Sequence, residues 1–151
     1  MNERIKDFLV TQKLATICCS DDQNNPYCFS CFYVFNSECC LLFFKSSVSS
    51  KHCQLMARKP KVSGTILPAK LNMFDIRGIQ FSGMLLPASH ESMKNASAIY
   101  HKKFPFALAI RGDVFAIRLE TIKMTVNQNG IGKQLSFQRN EAVALNGLSD
   151  H

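Results

Sequence analysis

Residues 40–60 read CLLFFKSSVSSKHCQLMARKP. The apolar run 41–44 is long enough for a buried strand, a serine-rich loop at 46–50 interrupts it, and a helical pattern follows. Ser49 or Ser50 is suited to cap that helix, Leu55 and Met56 give it an apolar side, and Pro60 stops it. Lys51 falls in the first turn, where a cation opposes the helix dipole unless an anion lies between the ammonium and the free backbone N–H groups. A phosphate monoester meets both requirements, because helix N-termini bind anions and hydroxyls beside a lysine complement phosphate oxygens. An ordinary serine cap with a solvated lysine is the alternative.

The flanks of this strand-loop-helix unit read mostly as strands. Upstream, Asn2 can cap a helix with Ile5, Phe8 and Leu9 on one face. Residues 14–20 and 27–35 are strands separated by the turn-forming 21–26, so they make a hairpin. Asn36, Ser37 and Glu38 form the next turn, and 39–45 returns as a third strand. Downstream, 61–67 is a short strand ended by Pro68. Residues 75–86 form a long one, with Ile76, Gly78, Gln80, Ser82 and Met84 on one face and Arg77, Ile79, Phe81, Gly83 and Leu85 on the other. Gly78 marks a place where a ligand or another backbone could come close, and Gln80 offers hydrogen bonds to a heterocycle; a bulge or a solvent-facing edge explains the same pattern.

Ser89 is placed to cap a helix carrying Met93, Ala96, Tyr100 and Phe104, with Pro105 as its stop. The apolar positions of 114–126 shift phase, from Phe115, Ile117 and Leu119 to Ile122, Met124 and Val126, which implies a bulge near Glu120. Asn129-Gly130 is a hairpin turn leading into a last strand, 131–138, with Leu135 and Phe137 inward. The pattern predicts a mainly β (α+β) fold in one domain, 1–139, followed by a frayed tail, 140–151. Its architecture is a closed or nearly closed antiparallel barrel of six or seven strands with flanking helices.

A chain of 151 residues suffices for one domain with a proper core, and no apolar run approaches the ~20 residues of a membrane span. The polar N-terminus carries no secretory pattern, so a cytoplasmic location is expected. The net charge of +7 favours anionic partners, but the basic residues are scattered, and the densest sets are Arg58, Lys59, Lys61 and Lys102, Lys103. A nucleic-acid-binding barrel is therefore the lesser alternative. The seven cysteines sit in apolar runs and are expected to be reduced and metal-free. Cys28 and Cys31 match a dithiol motif as text, yet residues three apart on a strand face opposite ways, as do the adjacent Cys18, Cys19 and Cys39, Cys40. No nucleophile elbow, glycine-rich mononucleotide loop or Ser-His-Asp order is visible.

The segment FFKSSVSSKHCQLMARKPKVSG (43–64), the strand 27–35 before it and the strand RGIQFSGML (77–85) after it resemble the FMN-binding split barrel of the pyridoxamine 5'-phosphate oxidase superfamily. HKKFPFALAIRGDVFAIRLETIKMT (101–125) and NGIGKQLSF (129–137) are similar to its YhbP-like branch. The resemblance covers nearly the whole chain and implies a homodimer with a flavin at the subunit interface. It implies ring contacts from 29–34, with Phe29, Ser30 and Phe32 as candidates, and phosphate contacts from Lys45, Ser46, Ser47, Ser50 and Lys51. Lys51 matches the family's basic residue, Ser50 replaces a second one, and Lys45 stands where a hydroxyl is usual. The family's fifth-strand glutamine falls nearest Gly78, with Gln80 two residues along on the same face. Nothing after Arg139 resembles the oxidase's arginine and histidine pair, so pyridoxamine phosphate oxidation is not expected. The resemblance implies instead an FMN-dependent oxidoreductase acting on a small molecule, or a flavin carrier or sensor without turnover.

Overall fold

Strand periodicity is realised as a seven-stranded antiparallel sheet that closes on itself. The computed structural model of the chain describes residues 1–128 and 130–139. Its elements are α1 (Glu3–Thr11), β1 (Leu14–Ser20), β2 (Pro26–Asn36), β3 (Leu41–Ser46), α2 (Lys51–Arg58), β4 (Lys61–Ile66), β5 (Asp75–Leu85), α3 (Ala96–Lys103), β6 (Asp113–Gln128) and β7 (Ile131–Gln138). Short 3-10 turns at Glu91–Met93 and Pro105–Ala109 flank α3. The sheet order is β3-β2-β1-β4-β5-β6-β7, and β3 also pairs with the first part of β6, from Leu41↔Arg118 to Ser46↔Asp113. Six strands thus form a ring, and β7 continues along β6 from Thr121 to Gln128. This is the mainly β barrel that the strand pattern predicts.

The barrel interior collects the inward residue of each strand, including Ile17, Tyr33, Leu42, Phe44, Ile66, Ile79 and Phe81. The first four residues of β3 are apolar because both its faces are buried there: Leu42 and Phe44 point into the barrel, while Leu41 and Phe43 pack with Tyr100 and Phe104 beneath α3. α1 closes one end with Ile5, Phe8 and Leu9, and Asn2 caps it by accepting the Arg4 N–H at 2.8 Å. Its C-terminal end is held from two sides. The Tyr33 hydroxyl donates to the Leu9 carbonyl at 2.7 Å, and the Lys103 ammonium donates to the Gln12 carbonyl at 2.8 Å. In β6 the register against β5 passes from Ser82↔Thr121 to Gly83↔Leu119, so Glu120 is the extra residue of the expected bulge.

The start of β3, the cap before α3 and the place of Lys103 differ from the sequence expectation. The third strand starts at Leu41 rather than Cys39, because Cys40 adopts a left-handed φ of 54° and its carbonyl accepts from Leu119 N–H and Arg139. His90, not Ser89, makes the cap before the α3 region: the turn in which His90 N–H meets the Pro87 carbonyl uses Ser89, and His90 Nδ1 then accepts from Ser92 N–H at 3.1 Å. The 3-10 turn that follows postpones α3 to Ala96. Lys103 is not part of a diffuse basic surface, since it is held by α1 carbonyls and lies over the Tyr33 ring. Gln128↔Ile131 confirms the last hairpin, although Asn129 and the tail 140–151 lie outside the described residues.

Candidate functional site

Because β3 ends at Ser46 and α2 begins at Lys51, the serine loop sits on the barrel rim. Ser50 is the α2 N-cap: its hydroxyl donates to the Ser47 carbonyl at 2.7 Å and accepts the Cys53 N–H at 3.3 Å. Ser47 and Ser49 join hydroxyls at 2.8 Å. Ser46 Oγ meets His52 Nε2 at 2.6 Å. No acidic residue occupies the first turn of α2, and Lys51 lies back over the Tyr27 ring, its ammonium 4.6 Å from the centroid. The loop is therefore built by its own hydroxyls, with Lys51 as the mobile-length cation beside a helix start of positive dipole sign.

Phe29 reaches this rim from the inward face of β2. Its ring stacks on His52 at 3.8 Å with 9° between planes and tilts against Phe44 at 5.7 Å. Burial pushes the His52 imidazole below its ordinary value of 6.5. The unfolded chain then takes the proton first, so stability is full above pH 6.5 and declines as pH falls from there towards the lower folded value. His52→Phe, which retains a stacking ring, is expected to reduce this decline; urea midpoints at about pH 7 and about pH 5 measure it. An undiminished decline in the variant would assign the dependence to another group.

Lys45 does not join the serine loop. Its neighbours alternate across β3, and its ammonium donates to the Ala107 carbonyl at 2.7 Å and meets His101 Nε2 at 3.0 Å. His101 Nδ1 donates to the Ser97 carbonyl at 2.8 Å, which leaves Nε2 to accept from Lys45. This neutral tautomer borders a cleft of about 680 Å³ between α2, α3 and the start of β6, lined by Val48, Met56, Met93, His101, Asp113 and Phe115. Val48 belongs to the serine loop, so loop and cleft are adjacent. A mostly apolar wall with a few polar groups at one rim is the usual make-up of a small-molecule pocket.

Ser30, Phe32 and Gln80 lie on the opposite, outward face of the sheet. Cross-strand register aligns Ser30, Thr16, Thr65 and Gln80 into one polar row, and Ser30 Oγ lies 3.4 Å from Thr16 Oγ1. Phe32 is 42% exposed beside Leu14, and its ring approaches Phe104 at 5.4 Å and Phe106 at 5.9 Å. One chain thus presents the expected residues on two surfaces. Ser46, Ser47, Ser50, Lys51 and Phe29 gather at the α2 rim, whereas Ser30, Phe32 and Gln80 share the outer sheet.

His52, His101 and Tyr27 are site residues that the sequence did not single out. The signal for His52 was its position two residues after the N-cap, which turns it back to the end of β3. His101 carried no such signal, since its partner Lys45 is 56 residues away.

Fold and rim together define an antiparallel split barrel with a hydroxyl-rich helix start. A UPF0306 protein of Photorhabdus laumondii is 33% identical over 135 residues, covering 89% of this chain and 94% of its own length. A UPF0306 protein of Yersinia pestis is 33% identical over 139 residues, covering 92% of this chain and 94% of its own. The chain belongs to the UPF0306 family. No family model matches it. Among solved structures, a heme binding protein from Mycobacterium smegmatis superposes with a TM-score of 0.73 at 13% identity, over 95% of this chain and 61% of that one. A FAD-binding protein from Mesorhizobium loti gives 0.67 at 15% identity, over 85% and 96%. The heme storage protein of Vibrio cholerae gives 0.61 at 19%, over 91% and 93%. At these identities the likeness establishes a shared fold. No helix among the described residues is long and apolar enough to cross a membrane.

Proposed function

We propose that the chain is a flavin-binding homodimer, with FMN as the cofactor, and that it acts as an oxidoreductase on a small apolar molecule. The observation that carries this reading is the serine loop at the α2 start, which combines hydroxyls, backbone N–H groups and Lys51 with no acidic residue in the first turn. The flavin phosphate would lie there, held by Ser46, Ser47, Ser50 and Lys51. Because Ser30, Phe32 and Gln80 occupy the other face of the sheet, a single flavin reaching both groups requires two chains. The exposed Leu14, Phe32 and Leu67 favour that pairing, since burying large apolar side chains is the main drive for association. Solved relatives of the fold that are described as FAD-binding or heme-binding lend support to a planar cofactor. When bound, the isoalloxazine supplies the redox chemistry, and this chain's residues bind and orient it. The cleft beside Val48, with Met56, Met93 and Phe115, is the proposed place of the substrate.

Titration of the purified protein with FMN, riboflavin and hemin, read by absorbance and by quenching of flavin fluorescence, tests the cofactor. Tight FMN, weak riboflavin and no hemin complex are expected. A hemin complex without FMN binding would replace the reading with the heme alternative. Light scattering at micromolar concentration is expected to give a dimer, and a monomer in the presence of saturating FMN would count against the two-chain site. NAD(P)H oxidation by the loaded protein separates an oxidoreductase from a carrier, and the salt dependence of any nucleic-acid binding tests the remaining alternative.

A further inference from the structure

The outward face of the β1–β2 hairpin carries a pair of thiols that sequence spacing conceals. Cys18 and Cys28 are direct cross-strand partners. Tyr33 N–H donates to the Lys13 carbonyl and Asp21 N–H to the Asn25 carbonyl, which makes the odd-numbered β1 residues the hydrogen-bonded pairs of this hairpin. Cys18↔Cys28 is consequently a non-hydrogen-bonded pair. Such pairs hold their Cα atoms about 4.5 Å apart with side chains drawn together, inside the window of about 4.4–6.8 Å in which a disulfide closes. Both cysteines are free thiols; Cys28 is exposed and Cys18 half-buried. They line one shallow depression with Thr16, Ser63 and Gln80, small or flexible neighbours that leave the sulfurs open to a reagent in the single, flavin-free chain. The remaining thiols lack this arrangement. Cys19, Cys40 and Cys53 are buried, burial pushes the Cys31 thiol up to about 12, and the exposed Cys39 has as its sequence neighbour a cysteine turned inward.

We propose that Cys18 and Cys28 form a surface dithiol that closes to a cross-strand disulfide by exchange with a small-molecule disulfide such as oxidised glutathione. Cys28, the exposed partner, attacks first as its thiolate. It forms a mixed disulfide, and one glutathione leaves as thiolate and takes up the proton Cys28 lost. Cys18, whose thiol is raised by burial and by the neighbouring Cys28, then loses its proton and attacks the Cys28 sulfur. The mixed disulfide breaks, the Cys18–Cys28 bond forms, and the second glutathione leaves as thiol. Two protein thiols are oxidised and one small disulfide is reduced to two thiols. The same exchange reversed by excess reduced glutathione reopens the pair, so the site reports the local thiol–disulfide balance.

The test treats the folded full-length chain with oxidised glutathione at about pH 8, quenches with an alkylating agent and maps peptides by mass. Wild type is expected to yield a peptide pair joined through Cys18 and Cys28, with the thiol count in denaturant falling from seven by two for this pair, beyond any glutathione adduct on Cys39. Cys18→Ser is expected to stop at the mixed disulfide on Cys28, and Cys28→Ser to give neither product at these positions. Cys39 is the exposed control, and it accumulates only a glutathione adduct. A stable adduct on wild-type Cys28 that never resolves, or oxidation confined to Cys39, would overturn the proposal. Serine is close to cysteine in size and the outer sheet face is already rich in hydroxyls, and circular dichroism of each variant confirms that the fold is kept.

Discussion

Gly64→Ala is expected to lower the unfolding free energy by about 3 kcal/mol, the upper part of the range for an overpacked core site. For a chain of this size that corresponds to a fall of very roughly 10 °C in Tm. A β-carbon at Gly64 would lie 2.4 Å from the Thr16 carbonyl oxygen and 2.4 Å from Cζ of Phe81. The Phe81 ring is buried in the barrel core and has little room to turn. The Thr16 oxygen belongs to backbone, and it can retreat only by spreading β1 from β4, a ladder of three residue pairs from Thr16↔Thr65 to Cys18↔Ser63. The side-chain-free position is thus what lets β4 fit between β1 and β5. Gly78→Ala is the contrast. Its added β-carbon meets only Cδ2 of Leu67 at 3.5 Å and the Ile66 carbonyl at 3.9 Å, ordinary contact distances. That variant is expected within about 1 kcal/mol of wild type, on either side of zero, because Ala also reduces the freedom of the unfolded chain. Urea midpoints of the two variants decide the matter; similar values would show that the barrel accommodates the Gly64 clash by relaxing.

The comparison of these glycines shows how far local pattern carries. Gly78 draws notice in the sequence because it lies in the small, polar middle of one strand face, yet an added β-carbon there meets only ordinary contacts. Gly64 looked unexceptional, and its constraint comes from Phe81 and Thr16, which the pairing of β4 with β5 and with β1 brings near. Where a feature depends on period alone, it is legible: the Ile5, Phe8, Leu9 stripe, a serine cap at Ser49 or Ser50, of which the structure uses Ser50, and the Glu120 bulge all follow from the spacing of neighbours on one element. Lys45 and Lys103 were not legible. The 3-10 turn Pro105–Ala109 folds back over β3 and offers the Ala107 carbonyl to Lys45, while Lys103 crosses to the end of α1, 91 residues earlier in the chain. The Cys18, Cys28 pair lies between these cases. Treating the cysteines by adjacency sent them to opposite faces, whereas counting symmetrically outward from the 21–25 turn places them opposite one another. Register, once the turn is known, was the missing step.

Lys51→Ala is expected to weaken FMN binding about two- to seventyfold. A charge-assisted contact to phosphate contributes about 1.5 to 3 kcal/mol. In the free protein the ammonium lies over the Tyr27 ring, and leaving it takes back about 0.5 to 1 kcal/mol, the strength of an exposed cation–π contact. The net, about 0.5 to 2.5 kcal/mol, gives that range of affinity. Riboflavin has no phosphate, so its weak binding should be nearly unaffected by the substitution. Tyr27→Leu separates two roles of the lysine. If Lys51 serves FMN through its charge, loss of the ring frees the ammonium and FMN binding is kept or slightly improved; if Lys51 serves only to brace Tyr27, both variants weaken FMN alike. Lys102 is the basic control, because Lys103 is committed to the Gln12 and Tyr33 carbonyls and its replacement would disturb the fold. Isothermal titration of FMN into each variant, with riboflavin in parallel, reads all of these outcomes. Equal losses from Lys51→Ala and Lys102→Ala would reduce the effect to general positive charge, and no loss from Lys51→Ala would leave the serine loop as a helix cap and nothing more.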